Sequence, residues 1–287
     1  MALTIVVMAA GVGSRFGGPK QLEPVGPGDE TLIDYLLVDA RRAGFDRAVL
    51  VIRDELTARI EAVAGRHRDG LEVVLASQQL GPAIPRGTVP AVLAASGQID
   101  GPFVAVNADD FYGTTAYQRA ADFLRQPGIP SNTHAFVSFP LRATLSPNGA
   151  VVRGVCQTNG DLLVRVDEIR GIEPDGQGAR VGDRRFTGDE RVSMNFWAFQ
   201  KSMLDELQRE FARFSRDHDS SHELLLPVTV DRLITEGRVQ VHVLSAPGPW
   251  LGLTHASDLP GARQALAEAA ERGDYPTPAW GTNLPSQ

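Results

Sequence analysis

Between residues 11 and 22 the chain reads Gly-Val-Gly-Ser-Arg-Phe-Gly-Gly-Pro-Lys-Gln-Leu. Glycines let backbone N–H groups approach phosphate oxygens without interference from a Cβ. Arg15 and Lys20 add two cations to the same segment. Three loop patterns compete for it. A dinucleotide fingerprint needs a glycine where Phe16 stands, and a helix that Pro19 and Pro24 oppose. A Walker loop needs Gly-Lys-Ser/Thr in succession, whereas Pro19 separates Gly18 from Lys20 and Gln21 follows. The third pattern, G-x-G-x-R-x-G followed by P-K-Q, fits at every position. A plain glycine turn is the bland alternative. Two cations at the C-terminal end of a strand argue against it, because α/β sheets bind ligands there. A second candidate is Asp109-Asp110, directly after the apolar run Pro102–Val106. Their place at a strand's end favours a site, and the competing reading is a turn or a cap for the helix that follows.

The whole-chain charge does not explain these cations. The chain has 287 residues, with 28 basic against 35 acidic side chains and a net charge of −7. That balance does not suit nucleic acid or an anionic membrane surface, so neither partner is expected. Of the basic residues only Lys20 and Lys201 are lysines; all others are arginine. A chain that writes nearly every cation as Arg keeps Lys20 for a reason other than charge, and a compact ammonium suits a tight phosphate loop. One cysteine, Cys156, excludes an intrachain disulfide framework and a Cys-rich zinc site. His218 and His222 have the i, i+4 spacing of a zinc pair but lack the Glu of a zinc-peptidase pattern, and read as surface residues. No basic segment precedes the apolar run near the start, and no stretch approaches the ~20 apolar residues of a membrane span. A cytoplasmic protein is expected.

These groups need elements to hold them. Leu3–Ala10, Arg47–Ile52, Leu71–Ala76 and Pro102–Asn107 read as buried strands, and Thr31–Ala43, Glu55–Arg66, Thr88–Ser96 and Thr115–Arg125 as the helices between them. Such alternation predicts an α/β domain: three layers, α/β/α, around a mostly parallel central sheet. After residue 126 the pattern changes to alternating strands at His134–Phe139, Ala150–Gln157, Leu162–Asp167 and Arg191–Phe199, a smaller mixed β region. Ile172–Gly188, rich in glycine and charge, reads as a mobile excursion. Helices at Lys201–Phe214, His222–Glu236 and Asp258–Arg272 and a strand at Val239–Ser245 follow. The expected organisation is one domain over 1–272, with halves 1–126 and 127–272, and an extended tail over 273–287.

The segments GVGSRFGGPKQLEPVG and LIDYLLVDARRAGF, taken with PRGTVPAVLAA and VNADDFYG, resemble the signature of nucleotidyltransferases of the sugar-phosphate pyrophosphorylase superfamily, which have a GT-A-like Rossmannoid fold. RGVCQTNGDLLVRVDEIRGI, VSMNFWAF and WLGLTH are similar to the second half of a bacterial branch of it. The resemblance runs from about residue 4 to about residue 270. It implies that residues 1–126 bind an NTP and residues 127–272 a sugar 1-phosphate. By position in the motifs, Arg15 would stabilise departing pyrophosphate, Lys20 would lie against the α-phosphate or the attacking phosphate, and Asp109, with Asp110 beside it, would hold Mg²⁺. Ala10, Gly11, Gly13 and Ser14 would lie under the nucleotide, and Gln79, Gly87 and Thr88 beside its base. Gly154, Glu168, Arg170 and Asn195 would bind the sugar phosphate. A homo-oligomer is compatible with all of this.

In that chemistry a phosphate monoester oxygen attacks the α-phosphorus of an NTP and pyrophosphate leaves. The nucleophile is already anionic near neutral pH, because the second pKa of a phosphomonoester is about 6. No strong base is needed. The catalyst must hold two polyanions in line and neutralise the leaving group. One departure stands out: relatives carry a second metal-binding Asp in W-x-D-x-G-T, and here Trp250-Leu251-Gly252-Leu253-Thr254-His255 places Gly252 at that position. Asp258 is the nearest substitute. The product expected is an NDP-sugar. The alternatives are a cytidylyl- or guanylyltransferase acting on a non-sugar phosphate or phosphonate, and a nucleotide-binding homologue without turnover.

Overall fold

The computed structural model describes residues 2–11, 16–79, 81, 84, 86–146, 149–253 and 256–281. Strand β1 (Thr4–Met8) is buried along its whole length. Ile5 and Val7 enter one apolar core, Val6 and Met8 a second, so both faces of the sheet are covered. A two-faced strand must be apolar throughout, which is why TIVVM shows no alternation.

Strands β2 (Arg47–Ile52), β3 (Glu72–Ser77) and β4 (Phe103–Asn107) complete a parallel set in the order β3-β2-β1-β4. Helices α1 (Leu32–Arg42), α2 (Thr57–Ala64) and α3 (Thr88–Ala94) connect them. Helix α1 starts at a capping box: the Thr31 hydroxyl accepts from the Asp34 backbone, and the Asp34 carboxylate accepts from the Thr31 backbone. The buried Asp34 also meets His67 Nε2 at 2.8 Å and Arg66 at 3.1 Å.

Beyond β4 come a two-residue strand β5 (Asp110–Phe111), helix α4 (Thr114–Arg125), β6 (Thr133–Pro140), β7 (Val151–Asn159), β8 (Leu162–Asp175), β9 (Gly178–Val181), β10 (Arg184–Phe186) and β11 (Arg191–Phe199). Helices α5 (Met203–Phe214) and α6 (Leu226–Thr235), strands β12 (Gln240–Ser245) and β13 (Leu251–Gly252), and helix α7 (Leu259–Glu271) close the chain. The fold is mixed α/β. The main sheet runs β10-β9-β8-β12-β6-β11-β4-β1-β2-β3, with β7 paired to β11 and β8. The expectation of a mostly parallel sheet holds only from β1 to β4 and between β6 and β12; the other pairings are antiparallel.

Two expectations are corrected. Residues 172–188 are not a loose excursion: β8 runs on to Asp175, and β9 and β10 pair antiparallel beside it. Gly176 and Gly182, at φ 59° and 55°, sit in the tight reversals, and Ile172, Ala179 and Phe186 are buried. Helix α6 begins at Leu226 rather than at His222, because Pro227 belongs to its first turn and upstream residues pair with the chain before α3. Residues 275–280 of the tail dock on the first half. The Tyr275 hydroxyl donates to Asp39 at 2.8 Å, the Ala279 N–H donates to Glu30 at 2.8 Å, and the Trp280 ring lies 4.3 Å under the Arg66 guanidinium.

Candidate active site

The glycine loop leaves β1 at its C-terminal end. Ala10 is half-buried and Gly11 exposed, and Gly13, Ser14 and Arg15 lie outside the described residues. The chain turns into a short 3-10 segment, Lys20–Leu22. The buried Gln21 amide donates to the Ala9 carbonyl at 2.7 Å. That bond ties the Lys20–Leu22 segment to the end of β1.

Lys20 is thereby aimed across the strand ends. Its ammonium donates to the Leu253 carbonyl at 2.6 Å and forms an ion pair with Asp109. Both side chains keep contact with solvent, at 21% and 27% exposure, so a ligand can reach them. The two candidates from opposite ends of the first half therefore meet.

Asp110 is different from its neighbour. It is buried, and it accepts from Asn107 Nδ2 at 2.9 Å. The Tyr112 hydroxyl lies 3.1 Å from it and 3.0 Å from the Met194 carbonyl. Burial, and then the Asp109 charge, push the Asp110 carboxyl up from the ordinary carboxylate range; Asn107, Lys20 and Tyr112 oppose this without cancelling it. One accessible carboxylate thus stands beside a buried one.

Asn195 reaches the same place from β11. It sits at φ 62°, where the register of β11 against β6 slips between Ser193 and Phe196. Asparagine tolerates that left-handed conformation better than most residues. Its amide donates to Asn107 Oδ1 at 2.7 Å, and its own carbonyl accepts from Trp197 Nε1 at 2.7 Å. A relay therefore runs from Trp197 through Asn195 and Asn107 to Asp110. Sequence alone singles out neither Asn107 nor Tyr112 as a site residue. Their only signal is position, inside VNADDFYG.

The expected base-binding residues have structural duties. A Cβ on Gly87, which has φ 119°, would come within 2.4 Å of the Leu224 carbonyl oxygen. The Thr88 hydroxyl accepts from the Leu226 N–H at 2.7 Å, holding the start of α6. Gln79 is exposed just beyond β3, while parts of its loop (Leu80, Pro82, Ala83, Pro85) lie outside the described residues. On the sugar side, Gly154 in β7 lies opposite Glu168 in β8 and Ser193 in β11. Glu168 and Arg170 pair with each other at 2.6 Å on the surface. Neither meets Asp109 or Lys20 through any hydrogen bond or ion pair seen among the described residues.

Gly252 pairs with Asp110 across the β5–β13 ribbon. A Cβ there would lie 2.9 Å from Asp110 Oδ1 and 2.3 Å from Trp250 Cη2. The indole fills the space that a side chain would need. Asp258 lies at the N-cap of α7, and Thr254 and His255 are outside the described residues. Among the described residues no three metal-ligating side chains cluster, the His218–His222 pair included. His218 instead stacks on Phe214 at 4.0 Å. Burial pushes the Cys156 thiol up to about 12, as in a small core residue rather than a nucleophile.

Residues 5–128 match the family described as the MobA-like NTP transferase domain. The bifunctional protein GlmU of Azorhizobium caulinodans is 30% identical over 181 residues, 61% of this chain and 36% of that protein's length. Three solved structures share the fold at 14% identity, each matching 92% of this chain. An inositol-1-phosphate CTP transferase from T. maritima matches with a TM-score of 0.67 over 95% of its length. A putative glucose-1-phosphate thymidylyltransferase from Bacillus anthracis matches with a TM-score of 0.65 over 95%. A UDP-glucose pyrophosphorylase in complex with UDP-glucose matches with a TM-score of 0.63 over 98%.

Proposed function

From the NTP transferase domain over residues 5–128, we propose that the chain is a nucleotidyltransferase that moves a nucleoside monophosphate from an NTP to a sugar 1-phosphate, giving an NDP-sugar and pyrophosphate. The observation that carries this reading is the meeting of Lys20, from the glycine loop, with Asp109, from the end of β4. A cation that binds phosphate and a carboxylate that binds a metal belong side by side where an α-phosphate is attacked.

The acceptor's phosphate oxygen attacks the α-phosphorus, the bond to the β-phosphate oxygen breaks, and pyrophosphate carries the electron pair away. Lys20 leaves its ion pair with Asp109 to meet phosphate oxygen, and Arg15 stabilises the leaving group. The relay from Trp197 to Asp110 keeps the floor of the site rigid. Mg²⁺ fits the donors present: it commonly takes one or two carboxylates and completes its shell with substrate phosphates and water. Asp109, with Asp110 behind it, would hold it, and it would neutralise phosphate charge.

The test is a matrix of NTPs against phosphate acceptors, read by pyrophosphate release. Release with at least one sugar 1-phosphate, lost in Asp109→Ala, supports the reading. Release only with a non-sugar phosphate moves the acceptor class. Nucleotide binding by calorimetry without release from any pair rejects turnover.

A further inference from the structure

Arg153, one residue before Gly154 on β7, is a cation that the sequence reading passed over. Its guanidinium lies 5.1 Å from the Trp250 ring centre. Among the described residues no carboxylate lies within ion-pair distance of it. Its hydrogen bonds go to backbone carbonyls: Nε to Thr144 at 3.0 Å, Nη2 also to Thr144, and Nη1 to Val152 at 2.8 Å. Of its five N–H donors, three are used by these bonds among the described residues. Burial depresses its pKa while the Asp110 charge works the other way, so the group is both desolvated and within the field of the site. A half-buried cation with no ion-pair partner among the described residues gains from an anion that completes it. Beside it the Trp250 Nε1 is a buried donor with no partner among the described residues.

The order of contacts along residues 250–253 says which anion. Arg153 stacks at Trp250, Asp110 faces Gly252, and Lys20 is bonded to Leu253. Two cations therefore flank two carboxylates, one at each end of the β5–β13 ribbon. The Lys20 end belongs to the glycine loop and the nucleotide. The Arg153 end belongs to β7, on the opposite half of the chain. The glycine at 252 is part of this arrangement, because a side chain there would drive the indole away.

We propose that Arg153, held by Trp250, is the anchor for the phosphate group of the acceptor, its guanidinium and the indole N–H meeting that phosphate's oxygens. This rests on the transferase reading for the word acceptor; the phosphate site itself does not.

The probe is inorganic phosphate, titrated into the full chain labelled with ¹⁵N-tryptophan, with the Trp250 indole resonance assigned by Trp250→Phe. A saturable shift of that resonance is expected in the native protein and in Lys20→Ala. Arg153→Gln, which can still donate to Thr144, should weaken phosphate binding by at least about tenfold, since a charge-assisted contact is lost. Arg153→Lys keeps the charge without the fork and should weaken it by roughly threefold. It decides the matter if Arg153→Gln does not fold. No response at Trp250, or native affinity in these variants, overturns the proposal. The pyrophosphate matrix separates the two claims. Phosphate binding through Arg153 in a protein that never releases pyrophosphate leaves the anchor standing and removes the transferase. Turnover with an acceptor KM unchanged in Arg153→Gln removes the anchor and leaves the transferase.

Discussion

Lys20 makes two contacts that only a compact ammonium satisfies together, the Leu253 carbonyl and the Asp109 carboxylate. A guanidinium is wider and planar and cannot occupy the same point. Lys20→Arg is therefore expected to lower kcat/KM for pyrophosphate release by at least about tenfold, in spite of the conserved charge. An unchanged rate would mean that any cation serves. Gly252→Asp, which places a carboxylate where the resemblance implies a second metal-binding Asp, should bring no gain in rate. Its Cβ meets Trp250 at 2.3 Å, and its charge lies against a buried carboxylate. A loss of roughly 1–3 kcal/mol in urea denaturation is expected, with no gain in rate. At this scale Lys20 and Asp109 were legible because their motifs are local. Asn107, Tyr112 and Arg153 were not, because their roles come from a slipped register in β11 and from a ribbon joining residues 110 and 252. No spacing rule reaches that far.

The elements of the first half were readable for a related reason. Strands β1, β2 and β4 are apolar but for one terminal residue each, Thr4, Arg47 and Asn107, and α1 announces its start with Thr31 and Asp34. Residues 172–188 misled because glycine and charge mark mobile loops and tight ribbon turns alike; pairing with a neighbouring strand decides between them. The tail is fixed by contacts that no local pattern announces. Its docking point is Asp39 of α1, a fully buried carboxyl that accepts from Thr114 at 2.6 Å and from Tyr275 at 2.8 Å. Burial outweighs those bonds and raises its pKa to about 6. A raised folded-state pKa means that the folded protein holds this proton more tightly than the unfolded chain does. Stability from this group is therefore greatest below the unfolded value of about 4 and falls as pH rises to about 6, by about 3 kcal/mol in all. Asp39→Asn cannot titrate. The stability of Asp39→Asn relative to the native protein should rise by up to that amount between pH 4 and pH 7, in urea denaturation at each pH. A difference that stays flat would show that Asp39 is solvated.

The molecule as a whole is joined by strand β11, which pairs antiparallel with β4 of the first half and β6 of the second. Its Phe199 packs 5.5 Å from Phe103, and its Trp197 stacks on Phe199 at 5.9 Å. The segment before α6 adds a second seam, where Arg86 and Leu224 exchange backbone hydrogen bonds with their neighbours across the halves. Without residues 127–287 the first half would expose Phe103, Ala105 and the α3 face to water, and would leave the edge of β4 unpaired. Burying one such aromatic or aliphatic side chain contributes roughly 1.5–3 kcal/mol, and losing several exceeds the 5–15 kcal/mol that stabilises a typical domain. Residues 1–126 alone should therefore lack dispersed amide resonances, although they hold the glycine loop and Asp109. The full chain should unfold in one transition, seen alike by far-ultraviolet circular dichroism and tryptophan fluorescence. Trp197 and Trp250 lie in the second half and Trp280 lies in the tail against Arg66 of the first, so fluorescence reads three local packing sites while circular dichroism reads the backbone of the whole chain. Transitions that separate, or a fragment 1–126 that folds, would make the halves independent domains, and the contact of Lys20 with Leu253 would then be an interface between domains rather than a part of one core.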